Sequence, residues 1–508
     1  HVAERPPHLV NERKKMRLLV VADLHAVLEP DYECSCHFRK THLSLEFLQR
    51  VIFRAREKTP DALLILGDFI DQPCLKTAKA DFEKIVTLLR KTSWPTVIVR
   101  GNHDLPEEVF LAIAGDLARP KEVSGYLLYP FHDRYHADET CRRPEKALKV
   151  FQQVCLSKPS RPVIALQHNL VYPPLDVGYP MNFENGEEIL ETYLGLPVCL
   201  SLSGHCHTGV PLQFYRGLPF LTAPALCEAP FPYLLVEVGE RIEVKQETLV
   251  ASQALPDVHC HTEFAYCATT VKGELAVDRS RLFNCSRLVL TEHSTQLYVT
   301  PEEFSQAIFM KKPGLIEKSR EGKTDRMPNF LTAMKRWRSD SVLLGAEVEL
   351  DCDRKITLLP EDRKNFDLLL GAVHWLPEEA VSQGGKRLEQ TFLSACEILC
   401  TSGIAVLAHP FRIFRRYKLP VPTHLFSVLA RLLKETGVAA EINFHTNQPD
   451  PEFFRICLEK GVKLATGTDA HCLEEAGDLQ RHLDFLTNKL EIADPVAVIF
   501  QPGRSPSP

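Results

Sequence analysis

The stretches SGHCHTG (203–209) and DVHCHTE (257–263) both contain the tripeptide His-Cys-His followed by Thr. Each belongs to a short apolar segment that is predicted to form a buried strand. Alternate residues of an extended strand point the same way, so the two His of each pair can face one place while the Cys between them points away. The chain therefore either repeats one metal site or contains two different sites, and the surrounding residues decide which.

The composition is typical of a folded chain with room for two or three domains. The chain has 508 residues, of which 44% are hydrophobic and 25% charged, and its net charge is −6. These totals do not indicate nucleic-acid binding, although a local basic patch remains possible. The sixteen Cys are scattered, so most are expected to be reduced and buried. We find no membrane-span pattern and no secretory signal, and we expect a cytoplasmic protein without a membrane partner.

The first half alternates buried strands with helical stretches, and polar residues follow the strands. Five segments show this pattern: MRLLVVADLH (16–25), DALLILGDFID (61–71), TVIVRGNHDLP (96–106), RPVIALQHNL (161–170) and LPVCLSLSGHCHTG (196–209). Such alternation predicts an α/β unit whose chemistry lies at the C-terminal ends of its strands.

The polar residues at these strand ends suit a pair of divalent metals. Two metals about 3.5–4 Å apart need a bridging carboxylate and a mixed shell of His, Asp and Asn. A single buried His is usually a core residue, but five groups in one order, each after a strand, indicate a metal centre. The candidates are Asp23, His25, Asp68, Asn102, His103, Asp104, His168, His205 and His207.

This half resembles the calcineurin-like metallophosphoesterases over about residues 16–245. The motifs D-x-H, G-D, G-N-H-D, a later His and G-H-x-H all occur in the order of that family. The resemblance implies a four-layer αββα sandwich that holds two divalent metals, Mn²⁺, Fe²⁺ or Zn²⁺. It places Asp23, His25 and His207 on one metal and Asn102, His168 and His205 on the other, with Asp68 bridging the two.

The same resemblance implies that a hydroxide held between the metals attacks phosphorus. His103 would protonate the leaving oxygen or stabilise the developing charge, and Asp104 would orient the His103 ring. The Tyr- and Pro-rich segment 172–180, which follows His168, is either a lid over the substrate or an ordinary loop.

A second pattern of strands begins after a plausible linker near residue 250. It consists of seven short apolar segments: DVHCHTEF (257–264), RLVLTEHS (287–294), SVLLGAEVEL (341–350), DLLLGAVHWLP (367–377), GIAVLAHP (403–410), GVAAEINF (437–444) and GVKLATGTDAH (461–471). Each ends near a His, Asp or Glu, which predicts a βα barrel with its site at the C-terminal ends of the strands.

This half resembles the PHP (polymerase and histidinol phosphatase) domain over about residues 255–500. An opening H-x-H-T, an acid-His pair, G-x-E, two separated His and a closing D-x-H occur in the order of that family. The resemblance implies a distorted (β/α)7 barrel with two or three metals, Zn²⁺, Mn²⁺ or Fe²⁺. It places His259, His261, Glu347 and Asp469 on the first metal, Glu347, His374 and His409 on the second, and His293 and His471 on the third, with Glu292 where Asp is common.

Cys267 stands where relatives often supply a further His. A thiolate can replace imidazole on zinc, and it would favour zinc over manganese at that position. The other interpretation is a buried thiol beside a weak or absent third metal. Both interpretations remain open.

Both halves indicate hydrolysis of phosphate esters by metal-activated water, and nucleotides or nucleic acid are the preferred substrates of such a bifunctional nuclease or phosphatase. Residues 311–338 hold nine Lys and Arg against three Asp and Glu, and Arg412, Arg415 and Arg416 follow His409 closely. Such cations suit phosphate, although a solvated helix face is the alternative for both runs. Two other hypotheses are a phosphatase of a small phosphorylated metabolite, and one domain that serves as a scaffold or partner-binding module.

The expected organisation is an α/β chain of two domains with short ends. An N-terminal extension covers 1–15, a metallophosphoesterase domain 16–250, a PHP domain 255–500 and a disordered tail 501–508.

Overall fold

A computed structural model describes residues 15–29, 32–322 and 324–503 of the chain. The chain divides into two compact units, His1–Leu249 and Val250–Pro508. The extension expected at 1–15 lies outside the described residues except for Lys15, and the tail expected at 501–508 lies outside them from residue 504. Within the described ranges, no helix combines the length and the apolar character that crossing a membrane requires.

The first unit is an α/β structure in its described residues. Its strands are β1 (Met16–Val21), β2 (Ala62–Leu66), β3 (Thr96–Val99), β4 (Lys121–Val123), β5 (Tyr126–Pro130), β6 (Arg134–Tyr135), β7 (Cys141–Arg142), β8 (Val163–Leu166), β9 (Val198–Ser203), β10 (Val210–Tyr215), β11 (Leu218–Thr222), β12 (Pro232–Val238) and β13 (Ile242–Thr248). Its α-helices are Ser44–Ala55, Ala78–Arg90, Glu107–Ala114, Glu145–Ser157 and Gly186–Leu194.

Two sheets form the centre of this unit. One has the strand order β13-β12-β1-β2-β3 and the other β10-β11-β9-β8-β5-β4. Strands β1, β2 and β3 are parallel to one another, and so are β5, β8 and β9. The C-terminal ends of these strands therefore lie together at one edge of each sheet. These inner strands read as continuous apolar runs because parallel strands are buried on both faces.

Apolar side chains from both sheets meet in one core, which includes Leu64, Leu166 and Leu202. The helix Ser44–Ala55 buries Phe47 and Val51, four residues apart, as expected of an amphipathic helix that packs on a sheet. A second core joins the helices Glu145–Ser157 and Gly186–Leu194 to the other sheet. Helices therefore cover both sheets, and the expected four-layer αββα sandwich is confirmed.

The second unit consists of short parallel strands separated by helices. Its strands are β14 (Asp257–Cys260), β15 (Leu288–His293), β16 (Val342–Val348), β17 (Leu368–Gly371), β18 (Val406–Leu407), β19 (Ala439–Ile442) and β20 (Leu464–Thr466). Its α-helices are Gly273–Leu282, Ser294–Tyr298, Pro301–Ser305, Leu315–Lys318, Met327–Lys335, Pro360–Arg363, Glu378–Gln383, Gly385–Thr401, Arg412–Arg416, Phe426–Thr436, Pro451–Glu459, Gln480–Asp484 and Pro495–Val498.

These seven strands form one sheet in chain order, from β14 to β20. A further parallel bridge joins Cys260 to Ala470, so the first strand meets the segment that follows the last and the sheet nearly closes. Leu343 belongs to an inner apolar cluster, whereas Leu344 belongs to the core that the helices share. The predicted distorted (β/α)7 barrel is confirmed, and its polar residues lie at the C-terminal ends of the strands.

Replacing Phe151 with Ala should destabilise the first unit by about 3–5 kcal/mol, because it leaves a cavity in a closed aromatic core. Phe151 is fully buried and its ring centroid lies 4.8 Å from that of Tyr129 and 5.0 Å from that of Phe131. Calorimetric unfolding of the full chain measures the effect. Leu156→Ala on the same helix is the matched control, because Leu156 is 63% exposed; equal losses in both variants would contradict the assignment of the core.

Candidate metal centres

Several candidate ligands lie in strained backbone at the ends of strands. Positive φ angles occur at Asp23 (54°), His25 (45°), Asp68 (53°), His205 (68°), His409 (32°) and Asp469 (52°). The left-handed region is unfavourable for residues with a side chain, and such strain tends to concentrate at functional sites. These turns aim the side chains back across the ends of the strands.

One group of the first unit combines Asp23, His25 and His207, whose ligand atoms are close enough together to share a metal. The Nε2 atoms of His25 and His207 lie 3.2 Å apart. The His207 Nε2 lies 3.7 Å from Oδ1 of Asp23. The structure thus brings together the three residues that the resemblance placed on one metal.

A second group surrounds the Nε2 atom of His168. Oδ1 of Asn102 lies 3.1 Å from this atom, and Nδ1 of His205 also lies 3.1 Å from it. Oδ2 of Asp68 lies 3.3 Å from the same atom and 3.4 Å from Nε2 of His25. Asp68 therefore lies between the two groups, where a bridging carboxylate would be needed.

Each imidazole of the first centre has a hydrogen-bond acceptor on the side away from the centre. The His25 Nδ1 lies 3.2 Å from Oδ1 of Asp71 and 3.3 Å from Nη1 of Arg39, whose charge Asp71 neutralises. The His168 Nδ1 lies 2.6 Å from the Leu66 carbonyl oxygen. Glu228 accepts from Nδ1 of His207. Because an acceptor requires a proton on the facing nitrogen, the other ring nitrogen keeps its lone pair for a metal.

Two of these acceptors were missed in the sequence. Asp71 closes the segment DALLILGDFID, three residues after Asp68, so its position beside the G-D motif was a usable signal. Glu228 belongs to no motif, and only the fold brings it to His207. Arg39 joins these two carboxylates, with Nη1 3.0 Å from Oδ1 of Asp71 and Nε 3.8 Å from Oε1 of Glu228.

The charges of the first centre favour a cation between its ligands. Burial raises the pKa of Asp23 to about 6 and lowers that of His205 to about 3. Burial also opposes a charge on His168, but the Asp68 carboxylate outweighs it and raises the pKa of His168 to about 9. A proton or a metal ion can supply the positive charge that the acceptors around His168 require.

Glycines form the floor of this centre. A Cβ atom at Gly67 would overlap the His168 ring, and one at Gly101 would overlap the Asp68 carboxylate. A Cβ at Gly204 would lie 2.7 Å from the Leu66 carbonyl oxygen. The ligands approach the backbone so closely that side chains are excluded here, and the residues present fit a metal pair.

The role expected for Asp104 is wrong in its detail. Its carboxylate accepts hydrogen bonds from the backbone N–H groups of Asp68, Phe69, Ile70 and Gly101, so it shapes the loop that carries Asp68. The Nδ1 of His103 instead lies 2.7 Å from the carbonyl oxygen of Asp71, and this carbonyl orients the ring. The His103 ring remains beside the centre, 4.7 Å from the His25 ring centroid.

Segment 172–180 lies against the same group. The Tyr179 hydroxyl accepts a hydrogen bond from Nδ2 of Asn102 at 3.3 Å. The Pro180 carbonyl oxygen lies 3.3 Å from Nε2 of His205, which leaves the His205 Nδ1 as the nitrogen that faces His168. The segment thus forms a wall of the centre, and its opening as a lid stays a prediction.

The second unit gathers His259, His261, Glu347 and Asp469 at the ends of its strands. The Oδ1 of Asp469 lies 3.0 Å from Nε2 of His261 and 3.5 Å from Nε2 of His259. The Oε2 of Glu347 lies 3.5 Å from Nε2 of His259. All four side chains are buried, and the structure brings together every residue predicted for the first PHP metal.

The predicted second group lies on the other side of Glu347. The Oε1 of Glu347 lies 2.9 Å from Nε2 of His409 and 3.4 Å from Nε2 of His374. The two Nε2 atoms lie 3.2 Å apart. Glu347 therefore faces both groups with different oxygens.

Three buried atoms between these groups lack an aligned hydrogen bond among the described residues: Nε2 of His259, Nδ1 of His293 and Oε2 of Glu347. The last two are only 2.7 Å apart, yet their geometry is not that of a hydrogen bond. Burying such polar atoms without partners is costly, and coordination to a metal would satisfy all three. The donor set fits a metal centre.

Carboxylates also orient the rings of this centre. The His259 Nδ1 lies 2.8 Å from Oε1 of Glu441, and the His374 Nδ1 lies 2.6 Å from Oε1 of Glu349. The Nε2 lone pairs of both rings consequently face the other candidate ligands. Glu441 and Glu349 were missed in the sequence, although each lies on or directly after a strand that had been recognised.

Glu292 was predicted as a metal ligand, and the structure contradicts that position. Its Oε1 lies 3.3 Å from Nδ1 of His261, while the His261 Nε2 faces Asp469. Its Oε2 accepts from the Thr262 hydroxyl at 2.6 Å. The carboxylate lies behind the His261 ring and is fully occupied there, so it orients the ring of a candidate ligand.

The third predicted group includes the thiol of Cys267. Its Sγ lies 3.1 Å from Nε2 of His471 and 3.5 Å from Nε2 of His293. Burial opposes the thiolate, but the hydrogen bonds from these two His outweigh it and lower the pKa of Cys267 to about 4. A thiolate between two imidazoles is a zinc-binding arrangement, which favours the ligand interpretation.

The three predicted phosphate-binding arginines lie in different surroundings. Arg412 reaches the centre, with Nη1 2.7 Å from Oδ2 of Asp469 and Nη2 2.5 Å from Nε2 of His374. Arg416 lies over the Trp375 ring and donates to the His374 carbonyl oxygen. Arg415 is exposed, and no hydrogen bond of its side chain to a candidate ligand is found in the described ranges.

Many cations of the basic run 311–338 are paired within the second unit. Lys311 pairs with Glu378 at 2.7 Å, and Arg320 pairs with Asp325 at 2.8 Å. Arg338 pairs with Asp367. The Arg326 guanidinium donates to backbone carbonyl oxygens and lies over the Tyr266 ring. Lys311, Arg320 and Arg338 thus neutralise local carboxylates, which supports the alternative interpretation of the run.

Two family models match parts of the chain that contain most of these candidate ligands. Residues 16–209 match the calcineurin-like phosphoesterase model, and residues 257–445 match the PHP domain model. The chain therefore carries a calcineurin-like phosphoesterase domain followed by a PHP domain. Both families bind divalent metals and hydrolyse phosphate esters, so the protein is a metal-dependent phosphoesterase.

Solved structures resemble part of the chain at low identity. A dimetal phosphatase from Danio rerio has a TM-score of 0.36 and 15% identity over 46% of this chain and 98% of its own. The protein TT1561 of Thermus thermophilus has a TM-score of 0.36 and 15% identity over 46% of this chain and 99% of its own. A purple acid phosphatase from yellow lupin (Lupinus luteus) seeds has a TM-score of 0.33 and 11% identity over 46% of this chain and 52% of its own. No curated protein matches the chain in sequence.

Changing Glu441 to Gln should weaken metal binding by the second domain about 10–100-fold, because a Gln amide cannot accept with both ends. Glu441 accepts from the His259 ring and from the backbone N–H of His409. Calorimetric titration of the metal-free chain with Zn²⁺ measures the loss. Glu459→Gln, at an exposed helix position, is the control, and unchanged affinity in Glu441→Gln would rule out its orienting role.

Proposed function

We propose that the protein is a bifunctional phosphoesterase with a separate divalent metal centre in each domain, and that it hydrolyses phosphate esters of nucleotide size. One observation supports a functional metal centre in each domain: the lone pairs of the His ring nitrogens point toward the same place. In both domains, acceptors hold the outer nitrogens of the His rings while the inner nitrogens face buried carboxylates. Metals held at these positions would activate water and polarise the phosphoryl group.

In the first domain we assign two metal positions that share Asp68. Asp23, His25 and His207 hold one metal, and Asn102, His168 and His205 hold the other. His103 lies beside them, and because the Asp71 carbonyl oxygen binds Nδ1, Nε2 is the nitrogen that can pass a proton to the substrate. Its role is to donate that proton to the leaving oxygen, and Asp71 is its positioning partner.

In the second domain we assign three positions that extend outward from Glu347. His259, His261, Glu347 and Asp469 form the first, and Glu347, His374 and His409 form the second. Cys267, His293 and His471 form the third, and His293 approaches both Glu347 and Cys267 with its two nitrogens. Glu292 and Glu441 orient the rings.

The charge distribution favours a nucleotide or a short nucleic-acid end over a long polymer. Arg412 points into the second centre, where a guanidinium can bind a phosphate bidentately. Three cations of the basic run 311–338, Lys311, Arg320 and Arg338, are paired with carboxylates of their own unit, which interrupts a continuous track of free cations. A polymer that contacts many phosphates would need such a track.

A substrate panel on three proteins separates the two activities. The full chain, Asp68→Ala and Asp469→Ala are assayed with Mn²⁺ or Zn²⁺ on a nitrophenyl monoester, a nitrophenyl diester, cyclic nucleotides and end-labelled single-stranded DNA and RNA. Each variant should lose one activity by about 100-fold or more and keep the other, since each carboxylate belongs to one centre.

The same panel tests the size of the substrate. Hydrolysis of nucleotides should depend weakly on salt, because few phosphates are contacted. A steep loss of nucleic-acid cleavage with salt would contradict the proposed size. Activity on monoesters alone, with no preference for nucleotides, would replace the proposal with a phosphatase of a small metabolite.

Changing Cys267 to Ser should remove about one zinc from the second domain, whereas Cys267→His should keep it, because imidazole is also a zinc ligand. Elemental analysis of the purified chain measures the metal content. Cys472→Ser is the control, because the neighbouring Cys472 is a half-buried thiol outside the proposed set. Full zinc content in Cys267→Ser would make Cys267 an ordinary thiol.

A further inference from the structure

The side-chain amide of Asn102 must point its oxygen toward the metal position if Asn102 is to serve as a ligand of the first centre. A carboxamide has a donor end and an acceptor end of nearly the same shape, and only the oxygen can bind a metal. The Asn102 Oδ1 faces Nε2 of His168 at 3.1 Å. This contact does not fix the amide, because a protonated Nε2 would donate to Oδ1, whereas an unprotonated Nε2, with the Nδ1 proton donated to the Leu66 carbonyl oxygen, would accept from the amide N–H.

The group on the other side of Asn102 is the Tyr179 hydroxyl. It lies 3.3 Å from Nδ2 of Asn102 and donates its own proton to a carboxylate oxygen of Glu139. A carboxylate only accepts, so the hydroxyl proton stays on the Glu139 side. The hydroxyl oxygen therefore presents a lone pair to Asn102, and only the amide N–H can satisfy it.

We propose that Glu139 and Tyr179 are positioning residues that fix the polarity of the Asn102 amide and so complete the metal position formed by Asn102, His168 and His205. This inference rests on the proposed function of the first domain and adds two residues to it. Tyr179 donates its hydroxyl proton to Glu139. Its oxygen can therefore only accept from Asn102, which must donate through its amide N–H. The Asn102 oxygen is left for the metal.

The surroundings of the pair fit a positioning role. Tyr179 is 37% exposed, so its side chain is not needed to fill the core. Its ring centroid lies 5.5 Å from that of His205, and the adjacent Pro180 carbonyl oxygen lies 3.3 Å from the outer nitrogen of His205. The segment thus contacts two of the three ligands of one metal position.

The test is a titration of the metal-free full chain with Mn²⁺ or Zn²⁺. In Tyr179→Phe one metal equivalent should bind at least about 10-fold more weakly while the others are unchanged, as is usual for the loss of a group that orients a ligand. Glu139→Gln should act in the same direction, because its amide can donate to the Tyr179 oxygen and release the hydroxyl proton toward Asn102.

Tyr172→Phe is the matched control in the same segment, since the Tyr172 ring packs on those of Tyr215 and Phe220 at 5.2 and 5.5 Å. Unchanged titration of Tyr179→Phe, or equal weakening in Tyr172→Phe, would overturn the inference. If Asp68→Ala bound the metals as tightly as the wild-type chain, that result would instead refute the metal centre of the first domain.

Discussion

The hydrogen bond between a candidate ligand imidazole and an acceptor behind it recurs in both centres and is the interaction on which their geometry depends. It selects the tautomer, holds the ring plane and leaves one lone pair facing inward. A carbonyl oxygen does this for His168, and carboxylates do it for His207, His259 and His374. Without these acceptors the rings could rotate or take the other tautomer, and the carboxylates between them would have no defined partner.

Two unlike folds satisfy this requirement with the same tripeptide. In the first domain, His205 and His207 turn apart: one faces His168 through Nδ1 and the other faces His25 through Nε2. In the second domain, the Nε2 atoms of both histidines approach Asp469. His-Cys-His therefore closes one candidate metal centre and opens a different one.

The strain of the ligand backbones and the burial of their charges are compensated by the surrounding sheets. Residues with positive φ, such as Asp68 and Asp469, follow buried parallel strands whose register leaves little freedom for the turns. The Asp104 carboxylate binds the turn that carries Asp68 through several backbone N–H groups. Rigid turns hold the carboxylate oxygens close to the other candidate ligands, although like charges among them repel one another.

The sequence by itself determined both domain types and nearly all candidate ligands, because apolar runs followed by His, Asp or Asn reveal strand ends, and strand ends meet at one edge of a parallel sheet. Tertiary structure alone decided which groups stand behind the ligands. Glu228 and Glu441 were matched to their histidines only when distant segments were brought together, and Asp104 and Glu292 took roles that their motifs did not indicate. A spacing along the chain encodes which residues reach a site, whereas the direction of each hydrogen bond depends on partners that are remote in sequence.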